Sequence, residues 1–339
     1  MKVALLGLGG DFDKGIGEGT QRYVYEIYNN IKKELGGDIS RFSYPSLGPY
    51  LSALAFEDFR GYDLIHIPKF RLGFPMRRGR AATVTTEHDF QPIFAPELDA
   101  DRSGGFKGWL HTKLLREGLI HSLKSDYIIA NSTLTRDDAL RLGYEKRKIY
   151  VVNHGLDKRF FKELPRRRKR PFRVGYLGAF RIRKNVSFAL KAFMATAAKD
   201  MRMALYGNNS YQYNELAAAS RRDRRISFCG FAPEGKLVEI YDSFDAFLFP
   251  SLYEGFGFPI LEAQARGLPV IIYRDGKIPR EVRRHCFEAR DEEEMSEMLE
   301  DLNENGYDPK ARAAAMRYAR SFTWERCARE TLSVYRKVS

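Results

Sequence analysis

The fold is decided by the stretch Phe249-Pro-Ser-Leu-Tyr-Glu-Gly-Phe-Gly-Phe-Pro-Ile-Leu-Glu-Ala-Gln-Ala-Arg-Gly267. Residues 244–249 form a short apolar run bounded by turn residues, which predicts a buried strand. Pro259 suits the first turn of a helix and Gly267 suits a helix C-terminus, so a helix is predicted between them. The apolar residues 268–273 then predict another strand. Together these elements make a strand–loop–helix–strand unit of a parallel sheet.

The loop of this unit carries residues suited to ligand binding. It follows the C-terminal end of a strand, which is where open α/β sheets bind ligands. Gly255 and Gly257 have no side chains, so a ligand can approach their N–H groups, and the following helix start favours an anion. Glu254 and Glu262 can accept hydrogen bonds from sugar hydroxyls. The alternative for this pair is a loop cap and a solvated helix residue, and the residue types alone leave both interpretations open.

The whole stretch resembles the E-x7-E element of the retaining, two-domain glycosyltransferases of the GT-B fold. The match is to the large family 4 group (glycosyltransferase group 1), which includes many mannosyl- and glucosyltransferases. Pro250-Ser251 and the run 254–263 follow that pattern almost residue for residue. The resemblance implies an α/β protein with two Rossmann-like domains that face each other across a cleft. It also implies a C-terminal helix that crosses back to the first domain.

The composition is that of a globular protein, with 339 residues of which 44% are hydrophobic. The N-terminus lacks the layout of a signal peptide, and no apolar run approaches the roughly 20 residues of a membrane-spanning helix. Three cysteines, Cys229, Cys286 and Cys327, are too few and too scattered for a disulfide framework or a zinc site. These features predict a cytoplasmic protein.

The formal net charge of +13 suggests an anionic partner. The clearest basic run is 166–170, whose alternative interpretation is a solvated linker between domains. No zinc-finger spacing, RNP-like aromatic motif or basic-leucine-zipper pattern accompanies it, so no nucleic-acid partner is expected. We expect instead peripheral contact with an anionic, cytoplasmic membrane face. The competing account is a surface rich in ion pairs.

The first half of the chain opens with a predicted strand and a Gly-rich loop that ends at Gly19. A nicotinamide dinucleotide site is rejected because Phe12 stands where the third Gly of that fingerprint belongs. The segment Glu18-Gly-Thr-Gln-Arg22 resembles the family's Gly-Gly-x-x-Arg form, in which the loop lies against the donor diphosphate. Glu18 replaces a glycine of that form.

Two histidines lie in predicted strands of this half. His66, in the run 62–67, is either functional or a hydrogen-bonded core residue, the more usual role in such a run. His88 stands at the C-terminal end of another predicted strand, which begins at residue 82, a position that favours function. The pair His88-Asp89 also resembles a strand end of the family, which implies that His88 contacts the donor sugar.

The second half contains a basic loop, 178–185, between a predicted strand and a helix. Cations oppose the dipole at a helix start, so a compensating anion is expected there. The loop resembles the family's Gly-x-x-x-x-Arg-Lys-Asn element, which implies that Arg183 and Lys184, together with Arg181, hold the donor diphosphate. Ala179 departs from the arginine that other members place after the glycine.

The resemblance implies transfer of a mannose- or glucose-type hexose, with retention, from a GDP- or UDP-linked sugar to a hydroxyl acceptor such as a lipid-linked glycan or polysaccharide precursor. No Asp-x-Asp metal motif is apparent, so no metal and no further cofactor are expected. The alternatives are a non-catalytic nucleotide-sugar-binding protein of the same fold, or a GT-B nucleotide-sugar epimerase, against which the E-x7-E pattern speaks. The catalytic positions implied are His88, Arg183, Lys184 and Glu254; the donor-binding positions are Gly19, Arg181, Phe231, Gly255, Phe256, Gly257, Phe258 and Glu262. The predicted domains are 1–163 (acceptor side), a basic linker 164–171, 172–321 (donor side) and the returning helix 322–339.

Overall fold

The computed structural model describes residues 1–13, 19–46, 52, 55–68, 77–98, 113, 117–118, 124–162, 171–207, 213–221 and 223–339. The chain divides into two compact units. The first unit contains the described residues of 1–94, 105–155 and 322–339, and the second contains those of 95–104 and 156–321. Residues 164–170 of the predicted linker lie outside the described residues, and the predicted domain boundaries stay a prediction.

Helices and strands alternate along the chain, as expected for parallel sheets. The helices of the described ranges are α1 (Gly19–Leu35), α2 (Gln91–Phe94), α3 (Thr133–Arg141), α4 (Val186–Ala195), α5 (Tyr213–Ser220), α6 (Leu237–Asp242), α7 (Phe258–Ala265), α8 (Arg280–Arg283), α9 (Glu292–Asn305), α10 (Pro309–Arg320) and α11 (Trp324–Val338). None of these helices combines the length and the hydropathy needed to cross a bilayer.

The first unit is built on a parallel sheet in the order β2-β1-β3-β4-β5-β6. Its strands are β1 (Val3–Leu8), β2 (Ile39–Tyr44), β3 (Leu64–Ile67), β4 (Ala82–Glu87), β5 (Tyr127–Ala130) and β6 (Ile149–Val151). Strands β1, β3 and β4 are buried along nearly their whole length, as strands of a covered parallel sheet must be.

The last helix belongs to the first unit. Thr323 caps α11, since its side chain accepts a hydrogen bond from the Arg326 amide at 3.1 Å. The apolar face of α11 packs on α1, whose own buried face repeats every four residues at Tyr23, Ile27 and Ile31. Gly155 permits this packing, because a Cβ there would stand 2.2 Å from the Trp324 nitrogen. The predicted return of the C-terminal helix to the first unit is therefore confirmed.

The second unit contains a parallel sheet in the order β12-β11-β10-β7-β8-β9. Its strands are β7 (Arg173–Leu177), β8 (Arg202–Tyr206), β9 (Ile226–Phe228), β10 (Ala246–Phe249), β11 (Val270–Tyr273) and β12 (Phe287–Ala289). The chain leaves β7 toward one edge of the sheet, and β10 pairs with the other side of β7. The direction of winding therefore reverses between β7 and β10, which makes a topological switch point.

The deciding stretch forms the β10–loop–α7–β11 unit predicted from it. Helix α7 begins at Phe258, one residue before the predicted Pro259, because Gly257 adopts a φ of 102° and serves as the N-cap. Gly267, with a φ of 73°, follows the C-cap in the left-handed region that glycine favours. With two parallel α/β sheets in two units, the predicted fold class is confirmed.

Candidate functional site

Two loops meet at the switch point of the second sheet. Residues 178–185 follow β7 and residues 250–257 follow β10, so both lie at the carboxyl ends of neighbouring strands. The Leu252 amide donates to the Arg183 carbonyl at 2.8 Å. Lys184 Nζ lies 2.5 Å from Glu254 Oε1 and makes the second connection. The geometry thus brings Arg183, Lys184 and Glu254 together, although Lys184 and Glu254 are 70 residues apart in the sequence.

The first of these loops is held in a defined shape. A 3-10 turn spans Ile182–Lys184, and Asn185 follows with a φ of 51° before α4 begins. The Tyr176 hydroxyl donates to the Ala179 carbonyl at 3.1 Å. Burial raises the pKa of Tyr176 and the charge of Glu254 raises it further, so this hydroxyl keeps its proton and remains a donor. The 3-10 turn and the hydrogen bond from Tyr176 therefore hold the backbone that carries the basic side chains.

Glu254 is a buried carboxylate, 6% exposed, beside two cations. Its Oε2 lies 3.7 Å from Arg183 Nη1, in addition to the contact with Lys184. Burial acts to raise the pKa of Glu254, but the charges of Lys184 and Arg183 together outweigh it and leave that pKa below its ordinary value. Glu254 is therefore ionised at neutral pH and unsuited to act as a general acid.

The charge of this cluster favours an anion. Lys184 and Arg183 bring two positive charges to one carboxylate, which leaves an excess of one positive charge on the three groups. The two cationic side chains are 12% and 23% exposed, so solvent screens them only in part. A nearby phosphate would balance the excess charge.

The glycine loop and the start of α7 add backbone donors to this edge of the sheet. Gly257 caps the helix without a side-chain hydrogen bond, and the first N–H groups of any helix have no partner within it. Phe256 is buried and meets Phe258 edge to face, with ring centroids 5.2 Å apart. The aromatic pair holds the loop in place, and Gly255 and Gly257 are themselves buried beside it.

Glu262 lies in the second turn of α7 and is 4% exposed. The Tyr241 hydroxyl, at the end of α6, donates to Glu262 Oε2 at 2.9 Å. The alternative interpretation of Glu262 as a solvated helix residue is therefore wrong. The carboxylate belongs to a built, buried polar contact between α6 and α7.

An exposed aromatic side chain marks the other end of the same sheet edge. Phe231 is 71% exposed and follows Gly230, whose φ of 73° turns the chain after β9. The Gly207 amide donates to the Gly230 carbonyl at 2.8 Å, which ties the ends of β8 and β9 together. A large apolar ring left this exposed at the carboxyl edge is suited to stacking on a flat ligand group.

His88 lies in the first unit at the carboxyl end of β4. Its Nε2 donates to the Pro68 carbonyl at 2.8 Å, and its Nδ1 lies 3.1 Å from His154 Nε2. Asn131 donates to the His88 carbonyl at 2.9 Å. The ends of β3, β4, β5 and β6 are thus connected through this one residue. A sugar contact by His88 stays a prediction, and it would compete with one of these two ring contacts.

His66 is a core residue. The Tyr335 hydroxyl of α11 lies 2.5 Å from its Nδ1, and the Thr86 hydroxyl lies 2.8 Å from its Nε2, both within hydrogen-bond distance. The Tyr23 hydroxyl completes the chain of contacts, 2.8 Å from the same Thr86 oxygen. The structure thus favours the core interpretation that the sequence left open.

The remaining predicted positions are distributed over the two units. Gly19 is the first residue of α1, in the first unit with His88; residues 14–18 before it lie outside the described residues. Arg181 precedes the 3-10 turn of the basic loop. Within the described ranges, no group of three or more acidic, histidine or cysteine side chains is placed to hold a metal ion. Metal independence stays a prediction.

Sequence reasoning missed the partners of the predicted residues. Tyr241 sits 21 positions before Glu262, and Tyr176 precedes the basic loop, but a tyrosine in a helix or strand carries no local signal of such a contact. His154 had a usable signal, because it follows β6 at the same sheet edge as His88.

Comparison with known proteins identifies the family. A family model described as glycosyl transferases group 1 matches residues 157–322. A second, described as glycosyltransferase family 4, matches residues 17–160. The two models together cover most of the chain, one for each half.

A curated relative and two solved structures agree with these models. The O-antigen chain mannosyltransferase B of Escherichia coli is 27% identical over 315 residues, covering 87% of this chain and 79% of its own. Sucrose-phosphate synthase from Thermosynechococcus elongatus superimposes with a TM-score of 0.74 at 17% identity, covering 99% of this chain and 98% of its own. An Anabaena protein in complex with UDP-glucose superimposes with a TM-score of 0.66 at 17% identity, covering 98% of this chain and 99% of its own. The two solved structures support the fold alone, whereas the two family models identify the family. The chain belongs to the group 1 glycosyltransferases of the GT-B fold.

Proposed function

We propose that the protein transfers a hexose of the mannose or glucose type, with retention, from a UDP- or GDP-linked sugar to a hydroxyl acceptor such as a lipid-linked glycan or polysaccharide precursor. The observation that carries the proposal is the Lys184–Glu254 contact at the switch point, with Arg183 beside it. An excess positive charge next to a buried carboxylate matches a ligand that combines a diphosphate with sugar hydroxyls.

Each residue has a role that its surroundings support. Arg183, Lys184 and the backbone amides of the glycine loop stabilise the negative charge that develops on the leaving diphosphate. Glu254, ionised and fixed by its cations, accepts hydrogen bonds from the donor sugar. Glu262 receives the ribose hydroxyls, Phe231 lies against the base, and His88 contacts the sugar from the first unit.

The proposal of retention assigns the proton transfer to the leaving group. The lowered pKa of Glu254 removes it as a proton donor to the leaving group. The leaving phosphate oxygen itself takes the proton of the acceptor hydroxyl as that hydroxyl attacks from the same face of the sugar. The diphosphate charge is met by arginine, lysine and backbone amides, so the reaction requires no metal.

The names of similar proteins support the class of substrate. The Escherichia coli relative is described as an O-antigen chain mannosyltransferase, and the Anabaena structure contains UDP-glucose. Mannose or glucose as the sugar and a growing glycan as the acceptor are consistent with both.

Turnover of nucleotide sugars tests the proposal. Purified protein is incubated with UDP-glucose or GDP-mannose and a glycan acceptor extract, and the anomeric configuration of the product is read by NMR. We expect an α-linked product from these α-linked donors, and loss of turnover in Glu254→Gln. Glu288→Gln, which alters an ion pair with Arg283 in the same unit, is the matched control and keeps its activity.

Three results would contradict the proposal. A β-linked product would exclude retention. Donor binding without transfer to any acceptor would favour the non-catalytic nucleotide-sugar-binding alternative, and interconversion of the free donor would favour an epimerase.

The proposal includes peripheral contact with an anionic membrane, where a lipid-linked acceptor would lie. The net charge of +13 supports it, and α10 contributes four cations without an acid. Each cation near an anionic surface contributes about 1 kcal/mol. Co-sedimentation with anionic vesicles at low salt, lost at high salt and absent with neutral vesicles, is expected. Binding that ignores lipid charge would leave these cations as solvated surface.

A further inference from the structure

Tyr241 is placed to act on Glu262, one of the predicted site residues. Its hydroxyl donates to Glu262 Oε2 at 2.9 Å in a fully buried position. A hydrogen bond to a carboxylate is charge-assisted and about twice as strong as a neutral one. The contact therefore has enough strength to orient the carboxylate.

The tyrosine ring is itself fixed by packing. It meets Phe160 edge to face with centroids 5.9 Å apart, and it lies 5.4 Å from the ring of Phe247 in β10. Phe160 and Phe247 are both completely buried. Because two aromatic neighbours hold the ring, they also hold the hydroxyl oxygen in place beside the carboxylate.

Glu262 needs such an orienting partner. The terminal torsion of a glutamate joins an sp³ carbon to an sp² carbon and has broad, roughly two-fold preferences, so its rotamer does not fix the carboxylate plane. Two adjacent ribose hydroxyls can be received by one carboxylate only when that plane is correctly turned. A hydrogen bond at Oε2 sets the plane and directs the other lone pairs of the carboxylate.

We propose that Tyr241 is a positioning residue that turns the Glu262 carboxylate toward the ribose diol and so sets the preference for ribonucleotide over 2′-deoxyribonucleotide donors. The inference rests on the proposed role of Glu262 in ribose binding. It adds a residue that touches no substrate and acts through the carboxylate.

Binding of UDP and GDP and of their 2′-deoxy counterparts to the full-length protein tests the inference. The measured quantity is the ratio of the two dissociation constants, deoxy over ribo, by calorimetry. We expect Tyr241→Phe to lower this ratio by about tenfold, the cost of one hydrogen bond to a charged group. Tyr318→Phe is the matched control, since it removes a hydroxyl that donates to the Glu281 carbonyl at 2.7 Å elsewhere in the unit. That control keeps the ratio of the unmodified protein.

A second background distinguishes orientation from a general structural effect. In Glu262→Gln the ratio should already be low, and adding Tyr241→Phe should lower it no further. A structural role of Tyr241 would instead weaken both nucleotides equally and leave the ratio unchanged in either background.

The possible failures separate the two proposals. If Glu262→Gln leaves the ratio of the unmodified protein intact, or if neither UDP nor GDP binds, the role of Glu262 is wrong and the inference falls with it. If Glu262→Gln lowers the ratio but Tyr241→Phe does not, Glu262 binds ribose and the inference alone is overturned. Should Tyr241→Phe fail to fold, Tyr241→His, which keeps a donor on an aromatic ring, replaces it and should retain more of the ratio than Tyr241→Leu.

Discussion

At Glu254, burial and the neighbouring positive charges shift the pKa of the carboxyl group in opposite directions, and the net shift is downward. Burial disfavours the ionised carboxylate, yet Lys184 and Arg183 leave its pKa below the ordinary value. Removing one partner of a buried ion pair costs about 3–5 kcal/mol, because the remaining charge is left uncompensated. The three side chains therefore act as one group, and a variant that removes only the cations changes folding as well as binding.

The diphosphate role of the two cations predicts a selective loss of affinity. Arg183→Ala with Lys184→Ala should weaken binding of a nucleoside diphosphate by about 10- to 100-fold, the loss expected for charged hydrogen bonds. The corresponding nucleoside, which lacks phosphates, should bind as before. Calorimetric titration of UDP against uridine, or of GDP against guanosine, measures the difference.

Two further variants make this comparison clean. Adding Glu254→Gln removes the buried charge that the double change would leave unpaired, and should restore stability without restoring diphosphate affinity. Arg336→Ala with Lys337→Ala removes the same dipeptide from an exposed end of α11 and serves as the control. Equal losses of nucleoside and nucleoside diphosphate would show that Arg183 and Lys184 are only structural.

At the scale of elements, the β10–loop–α7–β11 unit was predictable because its determinants are local. Local residues predict its backbone, and the structure has the predicted conformations. These residues are the apolar run, the two loop glycines, Pro259 and Gly267. The start of α7 differs by one residue, since the positive φ of Gly257 already ends the loop. The basic loop after β7 was found in the same way.

The contacts between elements were not predictable, because they depend on strand order. That 178–185 lies beside 250–257 follows from β7 pairing with β10, which no local pattern states. Tyr241 of α6 and Glu262 of α7 meet only in the folded unit, and His154 reaches His88 only once β6 joins the sheet.

Arg266 illustrates a residue whose role was hidden by its neighbours. It stands among small residues at the end of α7, where the pattern predicted only a helix terminus. The structure buries its side chain to 2% exposure and pairs it with Asp242 through two 2.8 Å contacts. It also donates to the carbonyls of Phe160 and Lys162, in the segment by which the chain enters the second unit. A buried arginine of this kind follows from tertiary packing alone.

At the scale of the whole molecule, the first unit is held by a buried polar network between its first and last helices. Tyr335 of α11, His66 of β3, Thr86 of β4 and Tyr23 of α1 form one chain of hydrogen bonds. Burial and the nearby charge of His88 lower the pKa of His66 to about 3. The same causes leave the pKa of His154 well below its ordinary value. Both histidines are therefore neutral in the folded protein at any physiological pH.

These shifts make stability depend on pH. In the unfolded chain a histidine takes up a proton near pH 6.5, whereas folded His66 does so only near pH 3. Between these values the unfolded state binds more protons, so the free energy of unfolding falls as the pH falls. Each such histidine contributes a slope of about 1.4 kcal/mol per pH unit. With two such histidines, the free energy of unfolding of the first unit should fall by about 2.7 kcal/mol for each pH unit below pH 6.

We therefore predict that His66→Gln halves the part of the pH dependence of unfolding free energy that the two histidines contribute in the first unit. Denaturant unfolding is followed from pH 6 to 4.8 by tryptophan fluorescence. One of the two tryptophans, Trp324, has its ring 6.4 Å from that of Tyr23 and 5.9 Å from that of His154. This window stays above the pKa values of most carboxylates, so their protonation adds little. The variant loses stability at every pH because the network is broken, but its slope should fall by about 1.4 kcal/mol per pH unit. An unchanged slope in His66→Gln would mean that His66 is protonated in the folded state and that the network forms in another protonation state.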